Sequence, residues 1–237
     1  MRDTAIEKKG MKKLLVLGLI LLCAAMLLSF CALQGNAQSM IVGVGYVGTN
    51  HDRIKDGREL NGLDVEISAA MDGAGEILLN ARYQNFGARV NPVFKRDLRY
   101  YEVAGNFFIP GFNHYAIVGA SSMSFGERQK SPGSDSNFQA RVVGPVTGLV
   151  GLKKLGGAVF SYSGTIHPRA VRTERFSNPN GSAKYGQPAS TGYELRGTVT
   201  HMVRPRFGYS GGYYWRRLAP GLTDHGFVLK TNIVVLN

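Results

Sequence analysis

The sequence predicts an all-β fold: an antiparallel, up-and-down transmembrane β-barrel of about ten strands, with eight as the smaller even count. Three observations carry this reading. Apolar and polar side chains alternate with period two, the connections alternate long and short, and aromatic residues gather toward the strand ends. The alternation is plainest from Gly192 to Leu236. There Tyr193, Leu195, Gly197, Val199, His201 and Val203 alternate with Glu194, Arg196, Thr198, Thr200 and Met202. After Arg204-Pro205, Phe207, Tyr209, Gly211, Tyr213 and Trp215 alternate with small and polar residues and with Arg216. Beyond a loop through Pro220 and Asp224, the last strand sets Phe227, Leu229, Thr231, Ile233 and Val235 against Val228, Lys230, Asn232 and Val234. Period two over about ten residues is a strand and excludes a helix. One greasy face and one polar face suit a wall between lipid and a polar lumen.

The chain divides into a leader, residues 1–37, and a barrel, residues 38–237. Lys12-Lys13, the uncharged apolar run from Leu14 to Leu33 and the small residues Gly35 and Ala37 predict a signal peptide starting at Met11 and cleaved after Ala37. An uncleaved inner-membrane anchor is the alternative use of so long a run. The first strand is Met40 to Val47, followed by the polar stretch Gly48 to Asn61. Leu63, Val65, Ile67, Ala69 and Met71 alternate with Asp64, Glu66 and Ser68 in the second, and a tight turn at Asp72-Gly73-Ala74-Gly75 leads to a third through Tyr83. The fourth places Tyr101, Val103, Gly105, Phe107 and Ile109 opposite Tyr100, Glu102, Ala104 and Asn106, and Pro110-Gly111-Phe112-Asn113 turns the chain into the fifth, His114 to Phe125. Gly126 to Asn137 reads as loop. Pro145 interrupts the sixth strand, Phe138 to Leu152, and predicts a bulge or break because it cannot donate to a ladder. The seventh runs from Ala158 to Ile166, and Arg169 to Thr191, rich in Asn, Pro, Gly and Ser, reads as the longest loop.

In order, the connections measure about 14, 4, 10, 4, 12, 5, 23, 2 and 8 residues. Outer-membrane barrels alternate in this way because one end makes short periplasmic turns and the other makes longer external loops. With the short turns placed in the periplasm, Tyr83, Phe86, Tyr100, Tyr101, Phe125, Phe138, Tyr193, Trp215 and Phe227 fall near the external end. Phe107, Phe108, Tyr115, Phe207 and Tyr209 fall near the other. Two aromatic belts are what amphipathic rings form at two interfaces. The predicted location is the outer membrane of a Gram-negative bacterium. The competing architecture is a soluble periplasmic barrel or sandwich, free or tethered by its leader, that binds a ligand or protein partner.

Cysteine usage excludes several chemistries. Cys23 and Cys31 both lie in the leader, so the remaining chain has no disulfide, thiolate metal site or cysteine nucleophile. The histidines His51, His167 and His225 map to the external end without i, i+2 or i, i+4 pairing. No nucleophile–base spacing stands out. The expectation is therefore no catalytic residues, no metal and no cofactor. Removing the leader from the 28 basic and 16 acidic residues leaves 23 and 14, a charge of +9. By parity the lumen holds Asp64, Glu66, Arg82, Glu102, Arg141, Glu194, Arg196 and Lys230, with acids and bases nearly balanced and able to pair. The external loops carry Arg89, Lys95, Arg96, Arg99, Arg169, Arg172, Arg175, Lys184, Arg216 and Arg217. Outer-membrane lipid, through lipopolysaccharide phosphate, ranks first as their partner, and another envelope protein second. Direct nucleic-acid binding ranks last, for want of a fold signature.

One further pattern bears on role. Arg96-Asp97-Leu98-Arg99, then Glu102 to Pro110 (EVAGNFFIP) and Ala116 to Phe125 (AIVGASSMSF), resemble the middle of the TraO family of conjugative-transposon outer-membrane proteins. The resemblance covers roughly 30 residues. It implies a small barrel-like chain with an accessory role in assembling a DNA-transfer apparatus at the cell envelope, and it carries no catalytic residues.

Overall fold

A computed structural model describes residues 39–51, 60–71, 75–89, 94–130, 135–220 and 222–236. The expected leader, residues 1–37, lies outside the described residues. Ten strands follow in chain order: β1 (Ser39–His51), β2 (Leu60–Ala70), β3 (Ile77–Arg89), β4 (Phe94–Ile109), β5 (His114–Gln129), β6 (Ser136–Leu155), β7 (Ala158–Asn178), β8 (Gly181–Arg204), β9 (Phe207–Ala219) and β10 (Leu222–Leu236). Each pairs antiparallel with its sequence neighbours, and β1 closes on β10. The result is the closed ten-stranded barrel that the alternation predicts, with no unpaired sheet edge to protect.

Inward and outward faces obey period two. Val103, Val118, Leu195 and Leu229 point outward and are each more than half exposed, although they are large and apolar. Asp64, Arg82, Gln84, Arg216 and Asp224 point inward and are buried. A soluble barrel would reverse this arrangement. The greasy belt therefore faces lipid, and the charged face fills the barrel. Inward glycines let adjacent strands approach at the β1–β10 seam. A Cβ at Gly45 would stand 1.9 Å from the Leu229 carbonyl oxygen, so no larger residue fits there. At the lower end, Gly111 takes φ 87° in the 110–113 turn, a left-handed conformation that glycine adopts without steric cost.

The upper connections differ from the expected loops. Much of Gly126 to Asn137 and nearly all of Arg169 to Thr191 extend β5–β8 as strands instead of lying free. β7 and β8, at 21 and 24 residues, are about 70–80 Å long at ~3.3 Å per residue. A tilt of about 40° leaves roughly 55–60 Å along the barrel axis, about twice the ~25 Å apolar band. The upper part of β5–β8 is therefore a sheet standing above the membrane. The alternation of long and short segments survives, with strand extension supplying the length.

Pro145 has the predicted effect. It pairs across to Ala120 on β5, while the β6–β7 register slips between Val143 and Thr147. A second irregularity, between His167 and Ala170, brackets Arg169 at φ 52°. The extra residue reverses parity on β7. Below it His167 points inward, and above it Ala170 and Arg172 do.

Candidate functional site: a closed lumen and a basic outer sheet

The interior has three levels. At the top, level with the upper rim, Leu60, Phe86, Leu98, Phe125, Val142, Leu218 and Leu222 form an apolar core inside the barrel, each at most 1% exposed. Phe125 stacks on His51 at 4.6 Å. Two ion pairs tie the lid above this core. Arg96 donates to Glu127 at 2.8 Å, and Arg172 bonds both Glu174 and the Pro220 carbonyl, joining β7 to the β9–β10 turn.

Below lies a layer of buried charge. Arg216 is fully buried and clasps Asp224 with two hydrogen bonds, Nε to Oδ1 at 2.9 Å and Nη2 to Oδ2 at 2.6 Å. It also lies 3.6 Å from Glu194 and 3.8 Å above the centre of the Tyr100 ring. Arg82 donates to Glu194 at 2.6 Å, and Gln84 donates to Asp64 at 2.8 Å. Lys230 bridges Asp64 and Glu66, and Arg196 reaches Glu66 at 2.7 Å. Glu102 accepts a hydrogen bond from Tyr100. Bidentate guanidinium–carboxylate pairs of this kind fix geometry as well as neutralising charge. Beneath the layer a cavity of about 420 Å³ runs toward the lower end, with Glu66, Glu102, Arg196 and Lys230 at its upper limit and Leu78, Ile117 and Val150 among its walls.

The structure thus gathers Asp64, Glu66, Arg82, Glu102, Glu194, Arg196 and Lys230 into one network. Arg141 is not among them. It is exposed on the outer face, 3.5 Å from the Ser122 hydroxyl, because at its height the lumen is apolar and its inward neighbours are Ala140 and Val142. Arg216 moves the other way. Placed by sequence in an external loop, it is instead the centre of the network, since β9 continues as strand to Ala219. Arg172 and Arg96 likewise turn inward to carboxylates and are not free loop cations. Lys95, Arg99, Arg169, Arg175, Lys184 and Arg217 are exposed at the upper end, and Arg89 pairs with Lys95 in the β3–β4 ladder. Asp224 and Tyr100, outside the set expected from parity, also belong to the network. Their signal was present: Asp224 shares parity with Lys230 on β10, as Tyr100 does with Glu102 on β4.

The aromatic belts need one correction. Tyr83–Tyr101 and Tyr193–Trp215, at 4.9 Å each, and Tyr46–Phe227 do form an upper belt. Phe86, Tyr100 and Phe125 instead turn inward and fill the core, and Phe138 packs against it. Tyr115 also turns inward, lining the cavity and donating to the Gly75 carbonyl.

Ser121 and His167, 46 residues apart, form a hydrogen bond of 2.8 Å, a nucleophile–base contact invisible to sequence spacing. His167 also meets Thr165 at 3.5 Å, both Ser121 and His167 are buried, and neither lines the cavity. Each member of the pair thereby satisfies a buried polar group of the other. Among the described residues no three His, Cys, Asp or Glu gather as a metal site.

Comparison with solved structures is informative for the fold. The outer membrane protease OmpT from Escherichia coli superposes with a TM-score of 0.53 at 9% identity, over 84% of this chain and 96% of that one. The fold is that of an outer-membrane barrel. Ail, the attachment invasion locus protein of Yersinia pestis, solved in complex with the heparin analogue sucrose octasulfate, aligns at 12% identity over 83% of this chain and 98% of its own, with a TM-score of 0.41. No protein-family model and no curated protein matches the sequence. With an apolar belt outside and charge inside, this closed barrel belongs in the outer membrane of a Gram-negative bacterium.

Proposed function

We propose that the chain is a non-enzymatic outer-membrane barrel with a structural or binding role, working through its external sheet and not through its lumen. The observation that carries this is the stacked closure of the interior. A charge layer centred on the fully buried Arg216 lies beneath an apolar core whose buried members are at most 3% exposed. Either level alone would obstruct an ion, and together they leave the cavity blind at its upper end. Reconstituted in planar bilayers, the protein should give no unitary conductance. Reproducible steps that respond to voltage would overturn this reading.

The partners that suit the external surface are lipopolysaccharide phosphate first and another envelope protein second. A finer role, as an accessory part of a conjugative DNA-transfer apparatus, is supported by the TraO-like segments through β4 and β5. Crosslinking in intact donor cells followed by affinity purification tests it. Recovery of transfer-apparatus components at the envelope is the expected result, and their absence from every crosslinked product would remove this role while leaving the barrel itself untouched.

A further inference from the structure

The register aligns cations in rows on the outer surface of the standing sheet. The lowest row runs Arg99, Ser124, Arg141 and Thr173 across β4–β7. One step higher, Gln139, Arg175 and Lys184 follow one another across β6–β8. Lys95 lies opposite Arg128 higher still. All six cations are exposed.

Two features set them apart from the inward cations at the same height. First, among the described residues five of the six have no carboxylate within 4.0 Å. Arg96 and Arg172, at similar heights but inward, are paired with Glu127 and Glu174, whereas of the outward six only Arg99 has an acid within 4.0 Å, Asp97 at 3.9 Å. Second, Arg175 stands directly opposite Lys184, and Lys95 directly opposite Arg128. Like charges facing each other across a ladder are destabilising when nothing neutralises them. A surface that stacks two such pairs beside Arg141, which no described carboxylate reaches, is built to meet anions.

Its height says which anions. Immediately beneath the lowest basic row lies a row of Tyr83, Tyr101, Ser122, Val143 and Val171. Tyr101, Val143 and Val171 are 46%, 43% and 54% exposed on the outward face, surface of the kind that suits acyl chains. One two-residue step, about 7 Å along a strand, separates this greasy row from Arg99 and Arg141, and a second step separates it from Arg175 and Lys184. A headgroup phosphate attached to those acyl chains sits at that step. On the external side of an outer membrane the phosphorylated lipid is lipopolysaccharide.

We propose that the outward face of β6–β8 is a lipid A phosphate site, in which Arg141 and Arg175 grip one phosphate and Lys184 supplies a third cation. This rests on the outer-membrane reading above and gives its phosphate partner a location. Arg141 and Arg175 are diagonal neighbours across the β6–β7 ladder, about 7–8 Å apart at the backbone, within reach of two converging long side chains. The guanidinium fork matches phosphate oxygens in pairs, and lysine adds a point charge.

The test uses the full chain in nanodiscs and native mass spectrometry, titrated with lipid A, with the same lipid lacking its phosphates, and with phosphatidylglycerol. Lipid A should bind at least about tenfold more tightly than its dephosphorylated form, as expected when a charge-assisted hydrogen bond is lost. Arg141→Gln/Arg175→Gln/Lys184→Gln should lower lipid A affinity by about 10–100-fold. The control pair Lys153→Gln/Lys154→Gln, exposed at the opposite end, should bind as wild type. Unchanged gel shift on boiling shows that each variant is folded. Equal binding of the dephosphorylated lipid, equal binding of phosphatidylglycerol, or a triple variant that binds like wild type would each overturn the site. Release of the chain by osmotic shock would instead overturn the outer-membrane reading, and the site with it.

Discussion

Arg216 offers the sharpest test of the closed lumen. Arg216→Met removes both bonds to Asp224, the 3.6 Å contact with Glu194 and the guanidinium 3.8 Å over Tyr100. It leaves Asp224, 0% exposed, without the guanidinium that clasps it. Stripping one member of a buried pair costs about 3–5 kcal/mol, and the desolvated cation–π contact adds up to about 2. The double variant Arg216→Met/Asp224→Leu removes the orphan as well as its partner. Glu194 keeps Arg82 at 2.6 Å. The double variant should therefore be at least about 2 kcal/mol more stable than the single one, since apolar replacement of a whole buried pair is often near neutral. Urea unfolding in lipid vesicles, followed by loss of the boiling-sensitive gel shift, measures both. A single variant within about 1 kcal/mol of wild type, or a double variant no better than the single, would refute a desolvated pair at the centre of the barrel.

Three other changes test separate levels of the fold. Phe125→Ala, in the upper core, should cost about 3–5 kcal/mol in the same assay, while Val103→Ala, 66% exposed to lipid, should cost far less; equal costs would mean that the faces are assigned wrongly. Gly45→Val should prevent closure at the β1–β10 seam and abolish the gel shift, whereas Gly75→Ala, with nothing within 4 Å of the new Cβ but φ 71°, should cost only about 1–2 kcal/mol. Replacing residues 175–184 by an Asn-Gly turn between the register partners Glu174 and Tyr185 should leave a folded barrel, because the pairing below is untouched; loss of the gel shift would show that the standing sheet is needed for assembly.

Strand number, direction and pairing were legible because lipid, a polar lumen and a two-residue pleat impose one readable pattern on every membrane-spanning segment. Tyr193, Leu195 and Val199 outward with Glu194, Arg196 and Thr198 inward is that pattern at its clearest. Seven of the lumenal charges could be named from it. Their partners were out of reach, because Arg82 and Glu194 lie 112 residues apart and only barrel closure brings them to 2.6 Å. The same holds for Ser121 and His167.

The misplacement of Arg141 and Arg216 has one physical origin. Apolar means outward only where the surroundings are lipid. Above the membrane the outer face meets water and headgroups, and the inner face, sealed by Arg96–Glu127 and Arg172–Glu174, becomes an ordinary protein core. The same alternation then reverses its meaning along a single strand. On β6, Leu149 is 50% exposed and outward at membrane height, while Ala140 and Val142, higher up, are inward and 1% exposed, leaving Arg141 outside. On β7 the bulge at Arg169 shifts parity as well, so a residue count carried up from Ile166 puts Arg172 on the wrong side. What marks the crossover in such a chain is its strand length. A strand of 21 or 24 residues is about twice what an apolar band requires, so its upper half answers to a different solvent and has to be read by a different rule.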